Sequence, residues 1–242
     1  MPISIALAGN PNCGKTTMFN MLTGSRQYVG NRPGVTVEQK TGQLRNHKGV
    51  AVVDLPGIYS LSPYTMEEVV ARDYLQKQHP DVIVNLVDAS NIERNLYLTT
   101  QLWEIGLPVL IALNMIDVAE KNGDKIDVDK LSRLLDCEIV PTSALHGEGL
   151  GTLCESAIRM AKRGETRTHF CRFSPLVEAA LSKIAALIAP DAGTLHMRYR
   201  TVKVFERDKK VMEDLGLSAE KRGAIEAIIK KCETAYDDDS DS

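Results

Sequence analysis

Short apolar runs alternate with helically spaced apolar positions from the N-terminus to about residue 163, and beyond that point only the helical spacing continues. The first run, Ile3-Ser4-Ile5-Ala6-Leu7-Ala8, is followed by Met18, Met21 and Leu22 at helical intervals. Further runs at Val37–Asn46, Val50–Leu55, Val82–Asp88, Val109–Asn114 and Ile139–Thr142 read as strands. Leu98, Leu102 and Ile105, then Leu150, Leu153, Ala157 and Ala161, mark helices among them. Such alternation covers both faces of a parallel sheet with helices. The pattern predicts a doubly wound α/β fold with a six-stranded, mostly parallel sheet. Only His47-Lys48-Gly49 joins the second and third strands, too few residues for a crossover, so that pair must be an antiparallel hairpin.

After Lys162-Arg163-Gly164 the strand signal ends. Ser174 followed by Pro175 fits an N-cap and first helical position, with Val177, Leu181, Ile184 and Ile188 on one face. Val202, Phe205, Met212 and Leu215 form a second helical face that stops at Gly216, and Ser218 opens a third helix with Ile225, Ile228, Ile229 and Cys232. The chain thus divides into an α/β domain over residues 1–164 and a small all-α domain over residues 165–242. The acidic end from Asp237 to Ser242 is too polar to pack and reads as a frayed end or the start of a connection.

Composition narrows the class. The 242 residues are 43% hydrophobic and 25% charged, ordinary for a globular protein with ample core. No stretch of about 18 apolar residues is present and the N-terminus lacks a signal-peptide layout, so the chain is expected to be soluble. Cys13, Cys137, Cys154, Cys171 and Cys232 are scattered and odd in number, which suits reduced cytoplasmic thiols and neither a disulfide framework nor a zinc site. A formal charge of −3 gives no reason to expect a nucleic-acid surface.

The chemistry is concentrated after the first strand. Gly9-Asn10-Pro11-Asn12-Cys13-Gly14-Lys15-Thr16 matches the phosphate-binding loop G-x-x-x-x-G-K-[ST], between a strand and a helix as that loop requires. Gly9 and Gly14 let the backbone approach phosphates, so that consecutive loop N–H groups and the helix start through Thr17 face negative charge. Lys15 is placed to neutralise the β- and γ-phosphates and Thr16 to hold Mg²⁺. Val52-Val53-Asp54-Leu55-Pro56-Gly57 ends a strand with an acid for Mg²⁺, and Gly57 offers an N–H to the γ-phosphate.

Base choice rests on Asn114-Met115-Ile116-Asp117. The Asp117 carboxylate can accept from N1–H and the exocyclic amine of guanine, a donor pair adenine lacks, and such pairing discriminates by the order of 10⁴. Met115 stands where this motif commonly has lysine, and its stem can still cover one face of the base. In Pro141-Thr142-Ser143-Ala144 the Ala144 N–H is placed for guanine O6 beside Ser143. The nucleotide is therefore read as GTP or GDP.

The segment Tyr28–Thr36, with Gly30, Pro33 and Gly34, reads as a loop that orders around the γ-phosphate, with Thr36 as second hydroxyl ligand of Mg²⁺. Thr36 can alternatively just begin a strand. Arg32 is either an arginine finger in cis or a solvated loop residue. Glu67 and Glu68 either couple the nucleotide to the helical domain or simply complement a helix N-terminus. Cys13 is either an activated thiol or a small filler. His146, His169 and His196 are isolated, and no cluster has the spacing of an iron site.

Together GNPNCGKT, RPGVTVE, DLPGIYSL, NMID and TSA resemble the N-terminal cytosolic portion of the ferrous iron transport protein B (FeoB) family. The run from Arg198 to Asp208 is similar to a segment of that family's helical domain, so the resemblance spans the chain. It implies a P-loop GTPase at the cytoplasmic face of the membrane, preceding a membrane permease domain, with small accessory iron-transport proteins as possible partners and oligomers possible. Many GTPases carry a glutamine after D-x-x-G to orient water, but here Ile58 occupies that position. The resemblance implies that K⁺ supplies the missing charge, with Asn12 among its ligands. Hydrolysis is then expected to use Asn12, Lys15, Thr36 and Gly57. The alternative is a tRNA-modification or ribosome-assembly GTPase, which the lack of a basic patch disfavours.

Overall fold

The computed structural model describes residues 2–24, 27–31, 38–62, 64–164, 172–192 and 196–236. Contacts divide the chain into two units, Met1–Trp103 with Leu107–His169, and Glu104–Gly106 with Phe170–Ser242. The expected boundary after Gly164 falls against residues outside the described ones.

In the first unit, β1 (Ile3–Gly9), α1 (Lys15–Thr23), β2 (Gln27–Asn31), β3 (Glu38–Gln43), β4 (Val50–Asp54), α2 (Met66–Gln78) and β5 (Val82–Asp88) come first. Then follow α3 (Ile92–Glu104), β6 (Val109–Asn114), α4 (Ile116–Lys121), α5 (Val128–Leu135), β7 (Ile139–Pro141) and α6 (Leu150–Arg163). The sheet order is β2-β3-β4-β1-β5-β6-β7, with β4, β1, β5, β6 and β7 parallel. The hairpin of β3 and β4 is antiparallel, as its short connection demands.

All six expected strands are there, and a seventh joins them. β2 pairs antiparallel with β3, from Gln27 opposite Gly42 to Asn31 opposite Glu38. Tyr28–Asn31, read as loop, is therefore edge strand. Its Gly30 carries no strand propensity; the pairing comes from backbone groups that β3 presents. The rest of the expected switch segment, including Arg32 and Thr36, lies outside the described residues.

Side-chain alternation assigns the two faces. Leu7, Val52, Val84, Leu110 and Val140 share one buried cluster with Phe19 of α1 and Leu153 and Ala157 of α6. Their neighbours point the other way. Among these, Asn85 Nδ2 donates to Thr99 Oγ1 of α3 at 2.6 Å, so α3 lies over the opposite face. The parallel strands are buried on both sides, which is why they read as nearly continuous apolar runs.

The second unit contains α7 (Pro175–Ala192), α8 (Met197–Phe205), α9 (Lys209–Asp214) and α10 (Ala219–Tyr236). The expected middle helix is thus two. Arg207 adopts the left-handed φ of 58°, which ends α8, and the Asp208 carboxylate accepts from Val211 N at 3.0 Å to start α9. Arg207 then reaches α10, donating to Glu226 and Glu233. Ile184, Ile188, Tyr199, Val202, Ile225 and Ile229 form the buried interior of this unit.

Candidate functional site

The parallel strands end together, and the loops that leave β1, β4, β6 and β7 gather at that edge. This is where open α/β sheets bind ligands. After Gly9 the chain turns through Asn12, at φ 66°, and Gly14, at φ 88°, before α1 begins. Two left-handed residues so close make a concavity of backbone N–H groups. No side chain caps α1, so its first-turn N–H groups add to that concavity.

Glycine is required at two contacts around this loop, and a third position is tight. A Cβ on Gly9 would lie 2.8 Å from Cys13 Sγ and from Leu86 O, and one on Gly14 would lie 2.3 Å from Asn114 Nδ2. A Cβ on Gly57 would come within 3.2 Å of Pro11 Cα. The Asp54–Gly57 segment is thus seated on the phosphate loop, and the Ile58 N–H donates to Gly9 O at 3.2 Å.

Charge converges beside the loop. Lys15 Nζ donates to Asp54 Oδ1 at 2.5 Å, with both side chains buried. Thr16 and Thr17 stand exposed on the first turn of α1, and Asn12 is exposed ahead of it. The hydroxyl of Thr16 and the carboxylate of Asp54 are hard oxygen donors of the kind Mg²⁺ takes. Ile58 is 2% exposed, so this position contributes packing and no side chain to the open face. Cys13 is 1% exposed and burial pushes its thiol up to about 11, as suits the small-filler alternative.

Asn114 holds the two halves of the site together. Its Nδ2 donates to Cys13 O at 2.9 Å, while its Oδ1 accepts from Ala144 N at 2.9 Å and from Thr142 Oγ1 at 3.3 Å. The Ala144 N–H, expected to point at the base, is therefore engaged by Asn114 in this structure. Met115 has φ 62°, and its Cε lies 3.6 Å from where a Cβ on Gly14 would sit, so its stem spans from β6 to the phosphate loop. Asp117 sits on the first turn of α4. The Ser143 hydroxyl faces Asp117 without a hydrogen bond of normal geometry, and is the main cause holding that carboxyl below its usual range. Lys121 and His146 add to the effect.

Three features escape sequence reasoning. The side-chain amide of Asn10, 4% exposed, has no hydrogen-bond partner. His146 and Lys121 approach Asp117 at 3.5 and 3.6 Å. Glu68 accepts from Ser60 Oγ and from Thr65 N while Thr65 Oγ1 accepts from Glu68 N, closing a capping box over the loop after Gly57. Only the last had a signal, the T-x-x-E spacing of Thr65 and Glu68. Among the described residues no group of His, Cys, Asp or Glu is arranged to hold a metal ion by itself.

The sequence matches the family model described as ferrous iron transport protein B over residues 3–157, and that described as FeoB cytosolic helical domain over residues 173–242. It is 44% identical to the Fe(2+) transporter FeoB of Escherichia coli (strain K12) over 212 residues, covering 85% of this chain and 27% of that protein. A Fe(2+) transport protein A/Fe(2+) transporter FeoB fusion protein of Porphyromonas gingivalis is 44% identical over 225 residues, covering 88% of this chain and 26% of the fusion. The chain therefore spans about a quarter of the length of these curated relatives. Among solved structures, NFeoB from S. thermophilus bound to GDP.AlF4- and K+ matches with a TM-score of 0.89 and 47% identity, over 99% of this chain and 93% of that one. A mutant of S. thermophilus NFeoB bound to GDP matches with a TM-score of 0.92 and 47% identity, over 98% and 92% of the two chains.

Proposed function

Because the chain belongs to the ferrous iron transport protein B family, we propose that it is the GTP-binding, GTP-hydrolysing regulatory part of a ferrous iron transporter, at the cytoplasmic face of the membrane. The observation that carries this reading is the convergence of Lys15, Asp54 and the uncapped start of α1 on one concavity, tied through Asn114 to the loop that bears Asp117. Residues 1–164 form the GTPase domain in this reading and residues 165–242 a helical domain that tunes nucleotide release. The downstream permease domain is its partner, with small accessory iron-transport proteins. No helix among the described residues is long and apolar enough to cross a membrane.

The N–H groups from Asn12 to Thr17 cradle the phosphates, and the Lys15 ammonium turns from Asp54 toward the β- and γ-oxygens. Thr16, Thr36 and Asp54 would hold Mg²⁺, and Asn12 would hold K⁺. When bound, the two cations offset charge that builds on the β–γ bridge. The Gly57 N–H steadies the γ-phosphate. Ile58 is buried and moves no proton, so the attacking water is positioned by backbone groups. Asp117 selects guanine, Ser143 holds Asp117 and Met115 covers the base. The two GDP-bound S. thermophilus structures, one of them also holding K⁺, support this assignment.

Two measurements test the reading. Calorimetry should show GDP binding far more tightly than ADP; equal affinity would overturn the guanine assignment. Hydrolysis at matched ionic strength should be faster in KCl than in NaCl by tenfold or more, on the order expected for one added charge at the transition state. Equal rates would remove K⁺ from the mechanism.

A further inference from the structure

A lysine and a histidine approach one oxygen of the proposed base-reading acid. Lys121 Nζ lies 3.6 Å and His146 Nε2 3.5 Å from Asp117 Oδ2. Lys121 comes from α4, one turn beyond Asp117, on a flexible stem that is 72% exposed. His146 comes from the turn after β7, and that turn is fixed. His146 N donates to Ser143 O at 3.2 Å, and Ser143 and Glu148 exchange backbone hydrogen bonds at 3.2 and 3.1 Å. Gly149 has φ 74°, and a Cβ there would lie 2.2 Å from Pro141 O, so the base of the turn admits no other residue. The backbone that carries the imidazole is therefore fixed beside the acid, with the ring itself 48% exposed.

Guanine needs both oxygens of Asp117, one for N1–H and one for the exocyclic amine. A protonated imidazole at Oδ2 competes with one of them. We propose that His146 is a specificity-determining residue: its imidazolium pairs with Asp117 Oδ2 and must be displaced by guanine, so guanine nucleotides bind more weakly in acid. This rests on the guanine reading above. Histidine is the side chain whose charge changes between pH 5 and 8. The other charges at this spot are Asp117 and Lys121 from α4 and Glu148 on the same turn, while α1 packs against Gly147 with the uncharged Met21. The Asp117 carboxyl is held below the usual range, so it stays ionised across that window.

The test is GDP affinity by calorimetry at pH 8 and pH 5.5 for this chain, His146→Gln and His146→Lys. The terminal phosphate of GDP titrates alike in all three, so differences among them isolate the imidazole. This chain should lose about two- to fivefold more affinity on acidification than His146→Gln, the range expected for an exposed ion pair. His146→Lys, permanently charged, should bind weakly at both values and show the shallow slope of the glutamine variant. A slope in His146→Gln equal to that of this chain overturns the inference. Failure of this chain to prefer GDP over ADP at either pH instead overturns the guanine assignment on which it rests.

Discussion

In the proposed reading Asp117 presents two acceptors to the base, and its chemistry allows a sharp exchange. In Asp117→Asn one oxygen becomes an amide donor, which no longer suits the N1–H and amine of guanine but suits the 2-oxo group of xanthine. The variant is expected to lose guanine affinity by about 10²–10⁴-fold and to gain xanthosine diphosphate, read by calorimetry with both nucleotides. Unchanged guanine preference would remove Asp117 from base recognition. At this scale the motif residues were legible, because Gly9, Gly14 and Lys15 fall at the set spacing of a phosphate-loop motif and Asp54 and Asp117 at the ends of apolar runs, and the structure places them along one sheet edge. Their partners were not. Asn114 meets Cys13 across 101 positions and Ala144 across 30, and no local pattern encodes a contact made by folding.

The start of α2 shows what a single element contributes. Thr65 and Glu68 satisfy each other's backbone N–H groups, and Glu68 also accepts from Ser60 in the loop that follows Gly57. Thr65→Ala should cost about 1 kcal/mol of stability. For a chain of this size that is a fall of roughly 2–4 °C in the melting temperature, measurable by calorimetry; an unchanged melting temperature would show that the capping box is not holding this turn. Of the expected alternatives for Glu68, helix capping is the one the structure shows, and the same carboxylate also grips the loop. Most elements were legible from apolar periodicity. β2 was not, because an edge strand with Gly30 is made by its neighbour. The break between α8 and α9 was not, because Val202, Phe205, Met212 and Leu215 keep helical spacing across a left-handed Arg207.

In the molecule as a whole, the acid Glu104 belongs by its contacts to the helical unit, far in sequence from the rest of it. Burial pushes its carboxyl up to about 7, against the pull of Lys203 and Arg198, while Glu206 and Glu178 push further. A folded-state value above that of the unfolded chain means the folded protein holds the proton more tightly. The contribution of Glu104 to stability is therefore greatest in mild acid, falls as pH rises from about 4.5 to about 7, and is level above that. Glu104→Gln should flatten this fall in a series of denaturant unfolding curves from pH 5 to 8, and a slope unchanged by the substitution would place the dependence elsewhere.

By itself the sequence determined the phosphate loop, the acid that ends β4, the base motif and the alternation that makes a parallel sheet. These depend on local geometry or on residue types that the chemistry of a ligand demands at set intervals. Tertiary structure alone decided that Asn114 staples the phosphate loop to the turn after β7, that Ile58 is core, that His146 stands over Asp117, and that β2 joins the sheet. Each of these pairs groups distant along the chain, and the energy that places them comes from burial and hydrogen bonding shared across the fold.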